Sequence, residues 1–373
     1  MNFAFSEEQQ MLRDSVRSFL ENKAPSDRVR ELMESDAGLD EGLWQEMAEM
    51  GWQAMAIPEE YGGAGFSWLE LNIINEELGR CLVPTPFFSS VVLGATAVLE
   101  GGTEDQKQGL LEKVSMGQHR LALAHIEPSG DWTEAGIETT ARPSGSGWVL
   151  DGTKSFVVDG HTADTLIVAA RTDAGISLFL VPGDAPGVSR QRLETMDMTR
   201  KQALIELDAV EVPADGLLGA DGAGWDIIDR VMQFAAVALA CEQVGGAQKC
   251  MEMSVEYAKV RVQFGRPIGS FQAIKHKCAD MLLAVESGKS AAYYASWAAA
   301  EDNDELPVVS ALAKSYCSDA YFDVAAETIQ VHGGIGFTWE HDAHLYFKRA
   351  KTSQLMLGEP AHYRKRLADL IGL

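Results

Sequence analysis

Arg261-Val262-Gln263-Phe264-Gly265-Arg266-Pro267-Ile268, read together with Gln330-Val331-His332-Gly333-Gly334-Ile335-Gly336-Phe337, decides how this chain is understood. Together the two stretches offer what a pyrophosphate needs: a guanidinium, amide side chains, and glycines that leave backbone N–H groups open to close approach. Glycines 333, 334 and 336 also have a plainer reading, as the stop signal of a helix. The coincidence of both stretches, each beside a segment of helical period, favours the anion-holding reading.

Working outward, the helical period runs from about Trp225 to the C-terminus. Residues 225–262 are rich in Ala, Met and Val, so much of that helix is expected to be buried. Upstream, residues 121–216 carry Val, Ile, Leu and Thr in short runs split by turn residues. Trp148-Val149-Leu150, Thr165-Leu166-Ile167-Val168 and Ile176-Ser177-Leu178-Phe179-Leu180-Val181 read as strands, and Asp151-Gly152 as a turn dipeptide. The first 118 residues read as helices. Ser6 and Gln9 form a capping-box pattern ahead of Leu12, Val16, Phe19 and Leu20. Leu43, Trp44, Met47 and Met50 make a second apolar face, and with Trp52 these Met and Trp residues read as core. Pro58 to Gly65 reads as a loop. The expectation is an α+β, mostly α chain: an N-terminal helical domain over 1–118, a middle β-domain over 119–216 and a C-terminal helical bundle over 217–373.

Composition narrows the function. At 373 residues with 46% hydrophobic content, the chain can fill two or three packed domains. Its formal charge of −24 opposes binding to nucleic acid or to an anionic membrane surface. An anionic ligand therefore needs local basic residues, which Arg261, Arg266, Lys275 and Lys277 supply. No run of about 18 apolar residues argues for membrane insertion. The N-terminus has no signal-peptide pattern, and the five cysteines form no CxxC pair, so a cytoplasmic protein with reduced thiols is expected. His341, Asp342 and His344 fit no strong zinc spacing and read as a surface cluster near a helix start.

The order of segments and the motifs resemble the acyl-CoA dehydrogenase family along essentially the whole chain. Ile57-Pro58-Glu59-Glu60-Tyr61-Gly62-Gly63 is similar to its N-terminal loop, and Leu150-Asp151-Gly152-Thr153-Lys154 to its β-domain hairpin. Tyr257 to Gln272 and Gln330 to Phe337 are similar to its C-terminal signatures. The resemblance implies a β-barrel-like middle domain and a C-terminal four-helix bundle. It also implies FAD as cofactor, an acyl-CoA substrate, a role in lipid metabolism, a dimer-of-dimers tetramer and an electron-transferring flavoprotein as electron acceptor. In that family the flavin sits at a subunit interface, so its two halves come from two chains.

Carried over residue by residue, the ADP-holding half is intact. Arg261 matches the pyrophosphate arginine, Gln263 and Phe264 the next contacts, Ile268 and Phe271 apolar positions near the adenine, and Gln330, Gly333 and Gly334 the second loop. The catalytic half is not. The position of the usual glutamate base falls on Leu357, and an alternative position on an earlier helix falls on Ala235, with Ala236 where an arginine is often found. Ile126 and Val158 stand where flavin-contacting hydroxyls are common, Phe156 stands for the usual tryptophan, and the loop Pro128-Ser129-Gly130-Asp131 is shortened.

Removing the α-proton of a thioester needs a carboxylate within reach of that carbon. Leucine and alanine accept no proton. Glu359 and Glu242 are the substitute candidates. Glu359 lies two residues past Leu357, about 200° around a helix. Glu242 lies two turns past Ala235 on the same face, where a buried hydrogen-bonded carboxylate is the plainer reading. Three functions stay open. The first is a subunit completing the FAD site of a homologous, base-bearing partner, a type of assembly that the family associates with bulky substrates such as steroid side chains. The second is an independent homotetrameric acyl-CoA dehydrogenase with a relocated base. The third is a same-fold flavin oxidase or monooxygenase, or a non-catalytic binding protein.

Overall fold

The computed structural model describes residues 5–373; Met1 to Ala4, part of the N-terminus read as free of a signal peptide, lie outside the described residues. The described helices are α1 (Glu7–Lys23), α2 (Ser26–Glu34), α3 (Glu41–Glu49), α4 (Trp68–Cys81), α5 (Thr96–Gly101), α6 (Glu104–Ser115), α7 (Gly224–Val260), α8 (Gln272–Ala300), α9 (Leu306–His332), α10 (Ala343–Leu355) and α11 (Pro360–Leu370). No described helix is long and apolar enough to cross a membrane. Two compact units form. One gathers Met1–Arg30, Trp68–Val83 and Ala236–Leu373, the other Glu31–Ser67 and Pro84–Ala235. Packing thus groups the chain differently from the segments 1–118, 119–216 and 217–373, because the first segment contributes to both units.

In the first unit the capping box of α1 is made as read. Ser6 Oγ accepts from the Gln9 N–H at 3.1 Å, and Gln9 Oε1 accepts from the Ser6 N–H at 3.0 Å. The α4–α7 contact is unusually close. A Cβ on Gly79 would lie 2.0 Å from the Glu242 carbonyl oxygen, and one on Gly245 would lie 1.8 Å from that of Glu76. Glycine on both helices is what allows the backbones to touch. Arg17 of α1 ties that helix to α4 by donating twice to Glu77, at 2.7 and 2.9 Å. From Ala235 to Ala247 α7 is buried at every position, and Gln243 donates to Ser318 of α9 at 3.0 Å. The C-terminal part is helical as expected, with α8, α10 and α11 all lying on α9.

The second unit is built on a sheet of β1 (Leu121–Ala124), β2 (Thr140–Ser144), β3 (Gly147–Val158), β4 (Thr165–Thr172), β5 (Gly175–Pro182), β6 (Val188–Arg192), β7 (Gln202–Pro213) and β8 (Leu217–Leu218). The order is β6-β7-β3-β2-β4-β5-β8, with β1 parallel to β4. Its inner face buries Leu150, Val168, Phe179, Ile205 and Val210. The three stretches read as strands lie in β3, β4 and β5.

Two local readings are corrected. Asp151-Gly152 is not a turn. It lies inside β3, where the pairing with β7 shifts register between Leu150 and Gly152. The bulge fits glycine because a Cβ at 152 would lie 2.4 Å from Thr139 Oγ1. The turn residues of the hairpin are instead Gly145 and Ser146, between β2 and β3. Trp44, Met47 and Trp52 are core, but Met50 is 42% exposed, because the helix ends at Glu49 and Met50 is its C-cap.

Candidate functional site

The first motif is a built corner at the end of α7. The Arg261 N–H donates to the Tyr257 carbonyl at 2.9 Å, and the Ile268 N–H donates to the Arg261 carbonyl at 2.8 Å. Between them Val262–Gln263 and Arg266–Pro267 pair antiparallel as β9 and β10. The two turn residues, Phe264 and Gly265, have φ of 54° and 78°. A two-residue hairpin of the I′ class needs both in the left-handed region, a conformation phenylalanine adopts at a cost. Phe264 is 92% exposed, its ring edge-on to Phe271 at 6.1 Å, and the Arg266 guanidinium lies 4.1 Å from the centre of the Phe271 ring. Ile268 and Phe271 are half-buried behind it.

The second motif ends α9. Gly333 has φ 65° and ψ −143°, a region essentially closed to residues with a Cβ. Its N–H caps the helix by donating to the Ile329 carbonyl, so the capping reading holds as far as it goes. A Cβ at Gly333 or Gly334 meets no atom within 4 Å, and both residues are exposed, as is Gln330. The glycines therefore answer no crowding inside the chain. They keep a strip of backbone bare to whatever lies against it. Tyr257, one turn before Arg261, stacks on His332, immediately before Gly333, with ring centres 4.4 Å apart. That stack brings the two motifs together. Of the basic cluster, Lys277 is paired with Glu327, while Arg261 is exposed and has no carboxylate partner among the described residues. An exposed, unneutralised guanidinium on a held backbone, in a motif joined to bare backbone amides, fits a pyrophosphate.

The stretches assigned to the catalytic half have different chemistry. In the second unit the Ser155 N–H donates to the Ile126 carbonyl at 2.8 Å, and pairing with β7 slips between Lys154 and Val157. The slip turns Phe156 out, half-exposed with φ 55°. Beside it Ile126 and Val158 are buried and apolar. Neither offers a hydrogen bond to a ring. Beneath them Lys154, fully buried, donates to Glu127 at 2.6 Å, and Glu127 also accepts from the N–H groups of Thr139 and Glu138. Burial pulls Lys154 down to about 8, against the pull of Glu127. His125 is buried with neither ring nitrogen hydrogen-bonded, and burial, helped by Lys154, pushes it down to about 3, so it is neutral.

In the first unit Leu357 is buried at φ 63°, followed by Gly358 at φ 108°. This bend is held by Lys314, which is fully buried and donates to the carbonyls of Ser353, Gln354 and Gly358 at 3.1, 3.2 and 3.3 Å and to Ser318 at 2.9 Å. The bend is built, but its side chain carries no base. Glu359 is exposed at the start of α11. Glu242 is buried 3.2 Å from Arg349, itself 3% exposed. Ala236 packs on Ala311 and Tyr363. The histidine cluster is not all at the surface: His344 is buried against Trp339, His341 lies on His332, and Asp342 is held by Arg30 at 2.6 Å.

Sequence reasoning passed over Lys314, His125 and the Tyr257–His332 stack. A lysine in an otherwise Ala- and Ser-rich helix was a visible signal for the first. The other two gave none, since burial and stacking depend on distant partners.

Comparisons with known proteins give the family and the fold. Family models match all three segments: acyl-CoA dehydrogenase N-terminal domain over 6–118, middle domain over 122–210 and C-terminal domain over 222–371. The chain is 37% identical over 364 residues to acyl-CoA dehydrogenase IpdE2 of Mycobacterium tuberculosis, covering 97% of this chain and 96% of that protein. Among solved structures, butyryl-CoA dehydrogenase from Megasphaera elsdenii superposes with TM-score 0.93 at 28% identity, covering 100% of both chains. The ChsE4-ChsE5 complex from Mycobacterium tuberculosis gives TM-score 0.91 at 30% identity, covering 100% of this chain and 99% of that one. With the ADP-type corner, the bend at Leu357 and these likenesses in hand, the chain belongs to the acyl-CoA dehydrogenase family of FAD-dependent oxidoreductases.

Proposed function

We propose that this chain is the non-base-bearing subunit of a heteromeric acyl-CoA dehydrogenase, and that it completes the FAD site of a homologous partner. The observation that carries this reading is the pairing of opposites in one chain: an unpaired Arg261 beside bare glycine backbone, and a buried Leu357 on the bend where a carboxylate belongs. Heteromeric assembly has a precedent in the ChsE4-ChsE5 complex.

In α,β-dehydrogenation of an acyl-CoA thioester, FAD supplies the acceptor for the β-hydride. This chain's part is to bind and orient. Arg261 neutralises and fixes the pyrophosphate in a protein whose net charge of −24 otherwise repels it. Gln263 and Gln330 present amides, Gly333 and Gly334 present backbone, and Phe264, Ile268 and Phe271 give the adenine an apolar bed. Ile126 and Val158 cannot stabilise an anionic ring or polarise a thioester. The α-proton is then removed by a carboxylate of the partner. Glu242 is engaged by Arg349, and Glu359 is out in solvent, so neither is the base in this reading. Electrons leave to an electron-transferring flavoprotein.

The test is reduction of an artificial electron acceptor by the purified chain, alone and co-expressed with a homologous glutamate-bearing chain, across short, medium, long and steroid-type acyl-CoAs. The chain alone is expected to be inactive, and the pair active with about one FAD per two chains. Robust turnover by the chain alone, or one FAD per chain in the assembly, refutes the proposal.

A further inference from the structure

Apart from the residues above, the first unit holds a hollow of about 180 Å³. Its wall is formed by the end of α1, the start of α2, the end of α4, Lys249 of α7 and the start of α10. The volume is that of about six waters at ~30 Å³ each, below the 300–1,000 Å³ of pockets for drug-sized ligands. The lining has two characters. Ala24, Val29, Leu82 and Leu345 are buried and apolar. Against them stand two cations, Arg80 and Lys249.

Arg80 is the informative group. Its Nη2 donates to Glu252 at 2.6 Å. Its Nη1 is buried and donates to nothing. A buried guanidinium N–H without an acceptor is costly, and charged donors bind oxyanions best. The acids of the wall do not cancel this. Asp342 already takes two N–H groups of Arg30, at 3.1 and 2.6 Å, and Glu21 is exposed. Cys81, held up at about 11 chiefly by burial, is a neutral thiol. The Tyr346 hydroxyl is spent on the Arg80 carbonyl at 2.6 Å. Ser26 begins α2, so its N–H is one of those a helix start leaves without an intrahelical acceptor.

We propose that this hollow binds a small organic oxyanion: a carboxylate or phosphate monoester head on Arg80 Nη1 and Lys249, and a tail of a few carbons on Leu82 and Leu345. It is a site separate from the cofactor corner and does not depend on which subunit carries the base.

The probes are butyrate, glycerol 3-phosphate and inorganic phosphate, added to the assembled protein. Binding is read by calorimetry and by the rate at which a small maleimide alkylates Cys81, mapped by mass spectrometry. Cys278, which lines a different hollow, is the internal reference. At saturation one or both organic anions should slow alkylation of Cys81 at least tenfold, leave Cys278 unchanged and bind tighter than inorganic phosphate. The better of the two assigns the head group. Arg80→Lys keeps a cation for Glu252 but has no Nη1, and Lys249→Gln removes a half-buried charge. Each should weaken binding about tenfold. Should Arg80→Lys fail to assemble, Lys249→Gln decides alone. Protection by inorganic phosphate only, no protection by any probe, or unchanged affinity in Lys249→Gln overturns the proposal.

Discussion

Glu242→Gln separates a structural carboxylate from a hidden catalytic base. Glu242 and Arg349 are both almost fully buried, with Oε1 and Nη1 3.2 Å apart. Glutamine keeps the shape and one acceptor but removes the charge, leaving the Arg349 guanidinium buried without its counter-ion. Removing one member of a buried pair costs about 3–5 kcal/mol, whereas replacing both with apolar residues of similar volume is about neutral. The expected result is therefore a large fall in stability for Glu242→Gln and for Arg349→Met, and a strong recovery in Glu242→Leu/Arg349→Met. Turnover per folded assembly should stay within a few-fold of the parent. The measurements are denaturant unfolding of the assembly followed by tryptophan fluorescence, closed as a double-mutant cycle, and acyl-CoA turnover of the folded fraction. A base would show the reverse: a rate loss of about two or more orders of magnitude with stability within about 0.5 kcal/mol of the parent. That outcome would refute the structural assignment and return the base to this chain.

Two further predictions rest on other parts of the fold. Arg261→Ala should weaken FAD binding by about 1.5–3 kcal/mol, roughly 10- to 150-fold, with no loss of stability because Arg261 is exposed. Flavin titration of the apo-assembly measures it, and full occupancy at low FAD concentration contradicts the reading. Burial lowers Lys314 from 10.5 to about 7, against smaller opposing effects of Cys317 and Asp319. The unfolded chain therefore binds the extra proton between about pH 7 and pH 10, and stability should rise with pH across that window. Lys314→Met should lose this rise, and should also be less stable for want of a donor to the bend at Gly358; equal pH slopes in parent and variant count against the assignment.

Much of the site was legible because its residues answer to chemistry that is local in sequence. Gly333 must reach a backbone region that excludes a Cβ, and Gly265 must sit at positive φ in a two-residue hairpin. Asp151-Gly152 shows the limit. The same dipeptide serves a turn or a bulge, and the choice was made by Thr139, whose side chain leaves no room for a Cβ at 152. Met50 shows another: helical spacing continues past Glu49, but the helix does not, so the side chain meets solvent.

The sequence by itself determined the family, the mostly helical order around a β-region, the arginine and glycine motif proposed to hold ADP, and the absence of a proton acceptor at positions 235 and 357. Each follows from residue type and spacing, which no later packing can change. Tertiary structure alone decided the fate of the charged groups. Glu242 reads from α7 as a buried, hydrogen-bonded carboxylate, but its partner, Arg349 of α10, is 107 residues away and nothing in the sequence named it. Lys314 is buried under the bend at Leu357, a position that depends on residues about 40 further along the chain. Arg261, by contrast, was left without a partner. Burial and pairing depend on which distant elements meet, and here those meetings are set by glycine contacts such as Gly79 of α4 against α7 and Gly245 of α7 against α4, where backbones touch and the side chains around them must find their partners.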